Sequence, residues 1–195
     1  FATERCDRAC NNILEGRIVI LVNGNPYALI VPAILIDFIT SPEDINLKHQ
    51  YGNLIRVIRS IAFFVAMFMP ALYVAVTNFH QELLPTDLVF AISAMRRSIP
   101  FPVIVELLIM EISFELIREA SLRVPAPIGS TIGIIGGLIL GEAAVSANLV
   151  TPLLIIIVAV TGICSYAIPD FSLNFTIRTF RFMYIILGYI AVFFG

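Results

Sequence analysis

The sequence predicts an all-α polytopic membrane protein of about five helical segments, preceded by the end of an α/β soluble domain that includes a β-hairpin. Hydrophobic residues make up 59% of the 195 residues and charged residues only 13%, against about 45–50% and about 25% in soluble domains. Four glycines, here called the glycine stripe, recur every fourth residue within an apolar stretch: Gly129, Gly133, Gly137 and Gly141. A glycine costs about 1 kcal/mol relative to alanine in a soluble helix, whereas in lipid it lets a second helix approach closely.

The segment before the stripe has the opposite character. Residues 100–123 are mostly apolar but carry six charges, on Glu106, Glu111, Glu115, Arg118, Glu119 and Arg123. Ionisable groups inside a membrane are costly, and they usually face an interior or a water-filled cavity. A charged helix beside a packing helix therefore predicts a membrane protein with a polar path or switch inside it.

Residues 1–50 are predicted to be the C-terminal end of a cytosolic soluble domain. A helix is expected over 3–14, with Thr3 as its N-cap and Gly16 near its end. Two β-prone runs flank Asn23-Gly24, which predicts a hairpin. Because two strands alone are marginally stable in water, we expect residues that precede this chain to complete the sheet.

Residues 51–195 are predicted to form a multi-pass transmembrane region that is truncated at its C-terminus. Pro70 lies inside the first predicted segment, where neighbouring helices can satisfy the carbonyl that a proline leaves free. Polar connections are expected over 78–99, with a short helical patch at 86–97, and over 170–181. The predicted segments are 60–77, 100–120, 128–149, 152–168 and a fifth that begins near 182.

Basic residues predict the orientation of these segments. If every segment crosses, the cytoplasmic side holds ten of the twelve basic residues and the outer side holds Arg96 and Arg97. This bias favours a cytosolic N-terminal domain. The acidic residues of 100–120 leave open a re-entrant or interfacial path for that segment. The ten inside residues are Arg5, Arg8, Arg17, Lys48, Arg56, Arg59, Arg118, Arg123, Arg178 and Arg181.

The charged helix has three interpretations. At about 100° per residue, Glu111, Glu115 and Arg118 fall within an arc of roughly 70°, and Glu106 faces elsewhere. Glu115 can pair with Arg118, and Glu119 with Arg123. In the first interpretation the helix lies in the headgroup layer with its charges solvated or paired. In the second it lines a cation path or gate at membrane depth. In the third its ion pairs fix the register of the helix against its neighbours. The candidate pore or gating residues are Glu106, Glu111, Glu115, Arg118 and Glu119.

The glycine stripe has two interpretations, packing within one chain and packing between identical subunits.

The sequence disfavours nucleic-acid, catalytic and metal sites. A net charge of −2 indicates no nucleic-acid partner, and no catalytic or phosphate-binding motif is present, so neither an enzyme nor a cofactor is predicted. A zinc site is disfavoured because the two histidines are isolated; its ligands would be Cys6, Cys10, His49 and His80.

Many short strings occur in consistent order along nearly the whole chain. They include Leu14-Glu15-Gly16-Arg17, Val22-Asn23-Gly24-Asn25-Pro26, Ser41-Pro42-Glu43-Asp44, Phe79-His80-Gln81-Glu82, Leu84-Pro85-Thr86, Phe114-Glu115-Leu116-Ile117-Arg118-Glu119-Ala120 and Arg123-Val124-Pro125. Together these strings resemble the A subunit of the GerA-type spore germinant receptors. The match also covers Pro100, Pro102, Glu106 and Glu111, whereas Glu142 departs from it, since a small or apolar residue is expected there.

This resemblance implies a nutrient-responsive membrane subunit in the inner membrane of a bacterial endospore. It implies a transporter-like B subunit and a lipoprotein C subunit as partners, besides membrane lipid and further copies of the chain. We expect the subunit to oligomerise through the glycine stripe and to contribute a cation-release pathway. The alternative is a non-conducting scaffold that couples ligand binding on a partner subunit to downstream germination proteins.

Overall fold

The computed structural model describes residues 1–45 and 48–193. Its N-terminal part is a small three-stranded antiparallel sheet with two short helices. The sheet order is β1-β3-β2, and Ile18 pairs with Val31 and Leu21 with Ala28, which confirms the predicted hairpin. The elements are β1 (Ala2–Thr3), α1 (Cys6–Leu14), β2 (Ile18–Leu21), β3 (Ala28–Val31) and α2 (Leu35–Ile39), followed by a 3-10 turn at Pro42–Ile45.

The structure corrects the predicted start of α1 at Thr3 and agrees with its predicted end near Gly16. Thr3 is not the N-cap, because it pairs with Ala28 at the edge of the sheet, and the helix begins at Cys6. The third strand thus comes from within the chain. At the other end, Gly16 adopts a φ of 84°, and the Arg17 N–H donates to the Asn12 carbonyl at 2.9 Å. This geometry is a Schellman cap, which favours glycine.

The described residues from 48 to 193 are mostly helical, and two helices differ from their predicted bounds. The first long helix begins at His49 rather than near residue 60, so the predicted domain boundary at residue 50 coincides with a helix start. The last begins at Phe171 rather than near residue 182, which puts Arg178 and Arg181 inside a helix. The elements are α3 (His49–Asn78), α4 (Thr86–Arg96), α5 (Val103–Arg123), α6 (Ala126–Ser146), α7 (Pro152–Tyr166) and α8 (Phe171–Phe193), with a 3-10 turn at Gln81–Leu83.

The five long helices alternate in direction. Glu106 and Arg118 of α5 meet opposite ends of α7, at Thr151 and Ser165, so α5 and α7 run the same way. Ala66 and Ala71 of α3 meet Arg181 and Gly188 in the same order, so α3 and α8 are also parallel to each other. Tyr73 near the end of α3 reaches Thr151 at the start of α7. The parallel pair of α3 and α8 therefore runs opposite to the parallel pair of α5 and α7.

Two apolar clusters fill the bundle. One joins α3, α5, α7 and α8 around Leu107, Met110, Leu154 and Ile185. The other lies where α3 packs against α8, around Phe63 and Ile177. Between these clusters the interior is charged, and this charged layer is the candidate site.

Among the described residues, one helix is long and apolar enough to cross a membrane, at Gln50–Asn78. The apolar helical stretches Thr131–Ser146 and Pro152–Tyr166 are shorter, and α5 and α8 carry charges. The helical fold class is confirmed, whereas the count of five spans stays a prediction.

Candidate functional site

Arg181 of α8 joins three helices near the middle of the bundle. Its Nη1 donates to Glu111 Oε2 of α5 at 2.8 Å, and its Nε donates to the Ala66 carbonyl of α3 at 2.9 Å. The two charged side chains are only 3% and 4% exposed. Pro70 follows Ala66 by one helical turn and has no N–H to give that carbonyl. The prediction that a neighbouring helix satisfies the carbonyl freed by Pro70 is therefore confirmed.

A second set of contacts lies one turn further along α5. Arg178 Nη1 of α8 donates to Glu115 Oε1, and Arg118 Nη1 lies 3.8 Å from Glu115 Oε2. Arg118 also reaches α7, where its Nη2 donates to Ser165 Oγ at 2.9 Å and its guanidinium lies 4.6 Å from the Tyr166 ring centre. The predicted pairing of Glu115 with Arg118 is thus present, but Arg178 is the nearer partner.

These residues form the ion-pair cluster, defined as Glu111, Glu115, Arg118, Arg178 and Arg181. Two carboxylates and three guanidinium groups give it a formal surplus of one positive charge. Breaking a buried ion pair by removing one partner costs about 3–5 kcal/mol. Loss of either partner of the buried Glu111–Arg181 pair would therefore leave an uncompensated charge between α5 and α8.

A cavity of about 690 Å³ lies beside the cluster, between α5, α6, α7 and α8. The cluster forms its polar wall, and apolar side chains such as Phe114, Val158 and Ile163 form the rest. Gly129 and Gly133 of the stripe also line it. Tyr166 and Phe171, both largely exposed, lie where the cavity reaches the end of the bundle.

Glu106 lies apart from the cluster, as its different helical face predicts. It is 1% exposed, and its Oε2 accepts the Thr151 backbone N–H at 3.2 Å. Its Oε1 lies 3.6 Å from Arg96 Nη2. Thr151 is the N-cap of α7, so this carboxylate also lies at the positive end of the α7 dipole.

Glu119 lies outside the site. It forms the predicted i,i+4 pair with Arg123 at 2.6 Å, with side chains 54% and 77% exposed. Of the five predicted pore or gating residues, the structure thus brings together Glu111, Glu115 and Arg118. Their role in conduction stays a prediction.

The glycine stripe faces α5 and α7 of the same chain. A Cβ on Gly129 would lie 2.4 Å from the Ser121 carbonyl oxygen. A Cβ on the other three would lie 3.4 to 3.7 Å from side-chain atoms of α5 or α7, namely Ser121, Phe114 and Ile155. The close approach of α5 and α6 is therefore tightest at Gly129.

Sequence reasoning missed the arginines of α8, Arg178 and Arg181, which pair with Glu115 and Glu111 of α5. Arg178 and Arg181 were assigned to a polar connection. The sequence did contain a signal for this pairing. Arg178 and Arg181 are three residues apart and Glu111 and Glu115 are four apart, so each pair lies on one face of a helix and the two faces can meet. Metal binding finds no support in the described part of the chain, where no group of three or more metal-ligating side chains converges.

A family model described as "Bacillus/Clostridium GerA spore germination protein" matches residues 1–195. Spore germination protein KA of Bacillus subtilis (strain 168) is 44% identical over 195 residues, which are 100% of this chain and 36% of that protein. Spore germination protein B1 of the same organism is 45% identical over 181 residues, or 93% of this chain and 38% of that protein.

A third relative is described as the uncharacterized membrane protein YfkQ of Bacillus subtilis (strain 168). It is 45% identical over 193 residues, or 99% of this chain and 38% of that protein. The chain spans less than two fifths of the length of these relatives, and no solved structure matches it. With the family model matched from its first residue to its last, the chain belongs to the GerA spore germination protein family.

Proposed function

We propose that the chain is part of the membrane-embedded region of the A subunit of a nutrient-responsive spore germination receptor. In this proposal α5 lines a cation-release pathway, and the ion-pair cluster holds that pathway closed. Membership of the GerA family supports the biological role. The relatives named as spore germination proteins and as a membrane protein support it further.

The proposed topology has five crossings, by α3, α5, α6, α7 and α8, with the N-terminal domain in the cytosol and the subunit in the inner membrane of the endospore. The alternating directions of these helices support it, because consecutive spans must alternate. Large apolar side chains on the outer faces of the bundle, such as Phe64, Leu72 and Ile139, suit contact with lipid.

The observation that carries the gating proposal is the ion pair between Glu111 and Arg181. It joins α5 to α8 at the middle of the bundle, and it is almost fully buried. While Arg181 neutralises Glu111 and the cluster keeps a positive surplus, cations are repelled from this face of α5. When α5 separates from α8, Glu111 becomes free to attract a cation.

The proposed partners are the transporter-like B subunit, the lipoprotein C subunit and further copies of this subunit. The proposed function involves neither enzymatic activity nor a cofactor. Since the glycine stripe faces α5 and α7, the opposite side of α6 is the one available to a second copy. Ile135 and Ile139 lie there, and both are exposed. The proposed self-association thus uses α6, with the glycines setting its distance from α5.

The test replaces one member of the pair at a time in spores that carry the full receptor. Arg181→Gln removes about 3–5 kcal/mol from the closed state, so it should raise cation release in the absence of nutrient. Glu111→Gln breaks the same pair and so also weakens the closed state, but it removes the carboxylate that is proposed to attract the cation, so it should lower nutrient-triggered release. Glu119→Gln is the matched control, because Glu119 is an exposed carboxylate on the same helix. Cation release is measured at equal amounts of assembled receptor.

The second candidate function is the non-conducting scaffold. One observation favours it: Glu106, Glu111 and Glu115 all lie against arginines of the same chain, so they need no permeant ion for neutralisation. The scaffold predicts unchanged cation release when each is replaced by Gln in a normally assembled receptor. That outcome would overturn the pathway proposal.

A further inference from the structure

We propose that the cavity beside the ion-pair cluster binds a small monoanion, with one acidic head group on an apolar body. This binding site does not depend on the proposed function, since it concerns the cavity and not ion conduction. Its evidence is the charge of the cavity wall, the unmet hydrogen bonds of that wall, and the size and lining of the cavity.

Charge is the first argument. The charged residues that line the cavity are those of the ion-pair cluster, two carboxylates against three arginines. A surplus buried charge is unfavourable unless a counter-charge accompanies it. A single negative charge balances the wall, whereas a zwitterion leaves the surplus unchanged and a cation adds to it.

Unmet hydrogen bonds are the second argument. Within the described part of the chain, one buried N–H nitrogen on each arginine lacks a hydrogen-bond partner: Arg118 Nη1, Arg178 Nε and Arg181 Nη2. Arg118 Nη1 does lie 3.8 Å from Glu115 Oε2, which is an ion-pair contact but too long for a hydrogen bond. Buried polar groups are otherwise almost always paired. Guanidinium groups bind carboxylate and phosphate oxygens through paired N–H donors. These nitrogens are buried, so a head group reaches them only when the guanidinium groups turn towards the cavity.

Two unpaired hydrogen-bond acceptors in the cavity wall indicate which polar groups the ligand body carries. Glu111 Oε1 and Asn174 Oδ1 are also buried without a partner in the described residues. They accept hydrogen bonds, so a hydroxyl or N–H on the ligand body, or a water molecule beside it, completes the wall.

Size and lining are the third argument. A volume of about 690 Å³ lies within the range of about 300–1,000 Å³ that is usual for small-molecule sites. Most of the wall is apolar, with Phe114, Ile117, Val158 and Ile163 among its residues, so it suits an aromatic or aliphatic body. The head group is a carboxylate on a free solute or the phosphate of an anionic lipid.

The experiment measures ligand binding calorimetrically to the full-length protein in phosphatidylcholine nanodiscs. The probes are naphthoate, its neutral isostere naphthamide, and the zwitterion tryptophan. Naphthoate should bind at least about tenfold more tightly than either of the others, since one charge-assisted hydrogen bond is worth that much or more. Equal binding of naphthoate and naphthamide, or no binding of naphthoate, would overturn the proposal.

Two substitutions test the charge argument in opposite directions. Arg118→Gln removes the surplus charge and should weaken naphthoate binding roughly 10- to 100-fold, whereas Glu115→Gln raises the surplus and should strengthen it. Arg123→Gln, an exposed arginine on the same helix, is the control and should change nothing. If Arg118→Gln does not fold, Glu115→Gln decides the matter, and unchanged or weaker binding to a folded Glu115→Gln protein contradicts the proposal.

Phosphatidylglycerol in the nanodiscs identifies the source of the head group. Competition with naphthoate supports the site and assigns it to an anionic lipid. Undiminished naphthoate binding supports the site and assigns it to a free solute. None of these measurements depends on cation release, so failure of this proposal and failure of the proposed function remain distinguishable.

Discussion

Single arginines connect elements that are distant in the chain. Arg59 of α3 donates to the Ile39 carbonyl at 2.8 Å and to Asp44 Oδ2 at 2.7 Å, so it holds the end of α2 and the following turn against α3. Arg181 does the same deeper in the bundle. In each case one guanidinium group donates to both a carboxylate and a main-chain carbonyl, which suits its fixed array of donors.

The Asp44–Arg59 pair predicts acid sensitivity where the N-terminal part meets α3. Burial alone raises the pKa of Asp44, but hydrogen bonds from Arg59 and from the Ser41 N–H outweigh it and hold that pKa below its ordinary value. A lowered pKa in the folded state stabilises the fold above the ordinary value of about 3.9. We expect this contribution to disappear as the pH falls from about 4 through the lowered pKa.

Hydrogen exchange of the α2 amides in the full-length protein, corrected for intrinsic rates, measures this effect. Protection should fall below about pH 4, and Asp44→Asn should show reduced protection already at neutral pH. Glu43→Gln, which alters an exposed neighbour, should behave as the wild type. Equal protection in Asp44→Asn and the wild type at neutral pH would remove the basis of this prediction.

At the scale of elements, α5 and α6 form a helical hairpin whose tightest point is Gly129. The connection between them is short, since α5 ends at Arg123 and α6 begins at Ala126. Gly129 therefore lies in the first turn of α6, directly against Ser121 of the last turn of α5. At this position the absence of a side chain is a steric requirement of the α5–α6 contact.

Two alanine substitutions in the stripe should therefore differ in their effect on the stability of the fold. Gly129→Ala puts a Cβ 2.4 Å from the Ser121 backbone carbonyl, which cannot rotate away, so the helices must separate at a cost of about 1–3 kcal/mol. Gly133→Ala meets only the Ser121 hydroxyl at 3.4 Å, which is an ordinary van der Waals distance. Thermal unfolding of the purified full-length protein should show a lower midpoint for Gly129→Ala alone. Equal midpoints for the two variants would mean that the contact at Gly129 does not limit stability.

For the whole molecule, the alternating helices define two ends of the bundle. Ser98 Oγ donates to Asn148 Oδ1 at 3.3 Å, which brings the chain before α5 next to the connection between α6 and α7. The contact of Arg118 with Tyr166 brings the C-terminal parts of α5 and α7 to the other end. If the helices cross a membrane, these two ends lie on opposite sides of it.

Single cysteines in a full-length protein whose native cysteines are all replaced by serine test this topology. Ser98→Cys and Asn148→Cys should react with an impermeant thiol reagent from outside intact cells that produce the full-length protein. Val124→Cys and Ala167→Cys should react only after the membrane is opened. Labelling of all four positions from the same side would show that α5 to α7 do not cross as proposed.

Local patterns were enough to predict much of this protein. Asn23-Gly24 between two β-prone runs predicted the hairpin, Gly16 the end of α1, and the i,i+4 spacing of Glu119 and Arg123 their pairing. These features depend on residues a few positions apart, whose geometry the backbone itself determines. The same holds for the helical stretches between Pro100 and Pro169, which were predicted within a few residues.

The buried site could be predicted only in part. The helical face shared by Glu111, Glu115 and Arg118 followed from their spacing, but their partners on α8 lie more than sixty residues away. Arg178 and Arg181 resemble loop residues in a linear sequence, because arginine is costly in an apolar helix unless it is paired. Their assignment required knowledge of the neighbouring helix.

The sequence by itself determined the helical class, the hairpin, the close-packing glycines and the charged face of α5, because each is a periodic or local property of the chain. Only the tertiary structure decided that Arg181 donates both to Glu111 and to the carbonyl freed by Pro70, and that three arginines lie with two carboxylates beside a cavity. Such pairings depend on which helix faces are adjacent in space, and the packing of the whole bundle sets that adjacency.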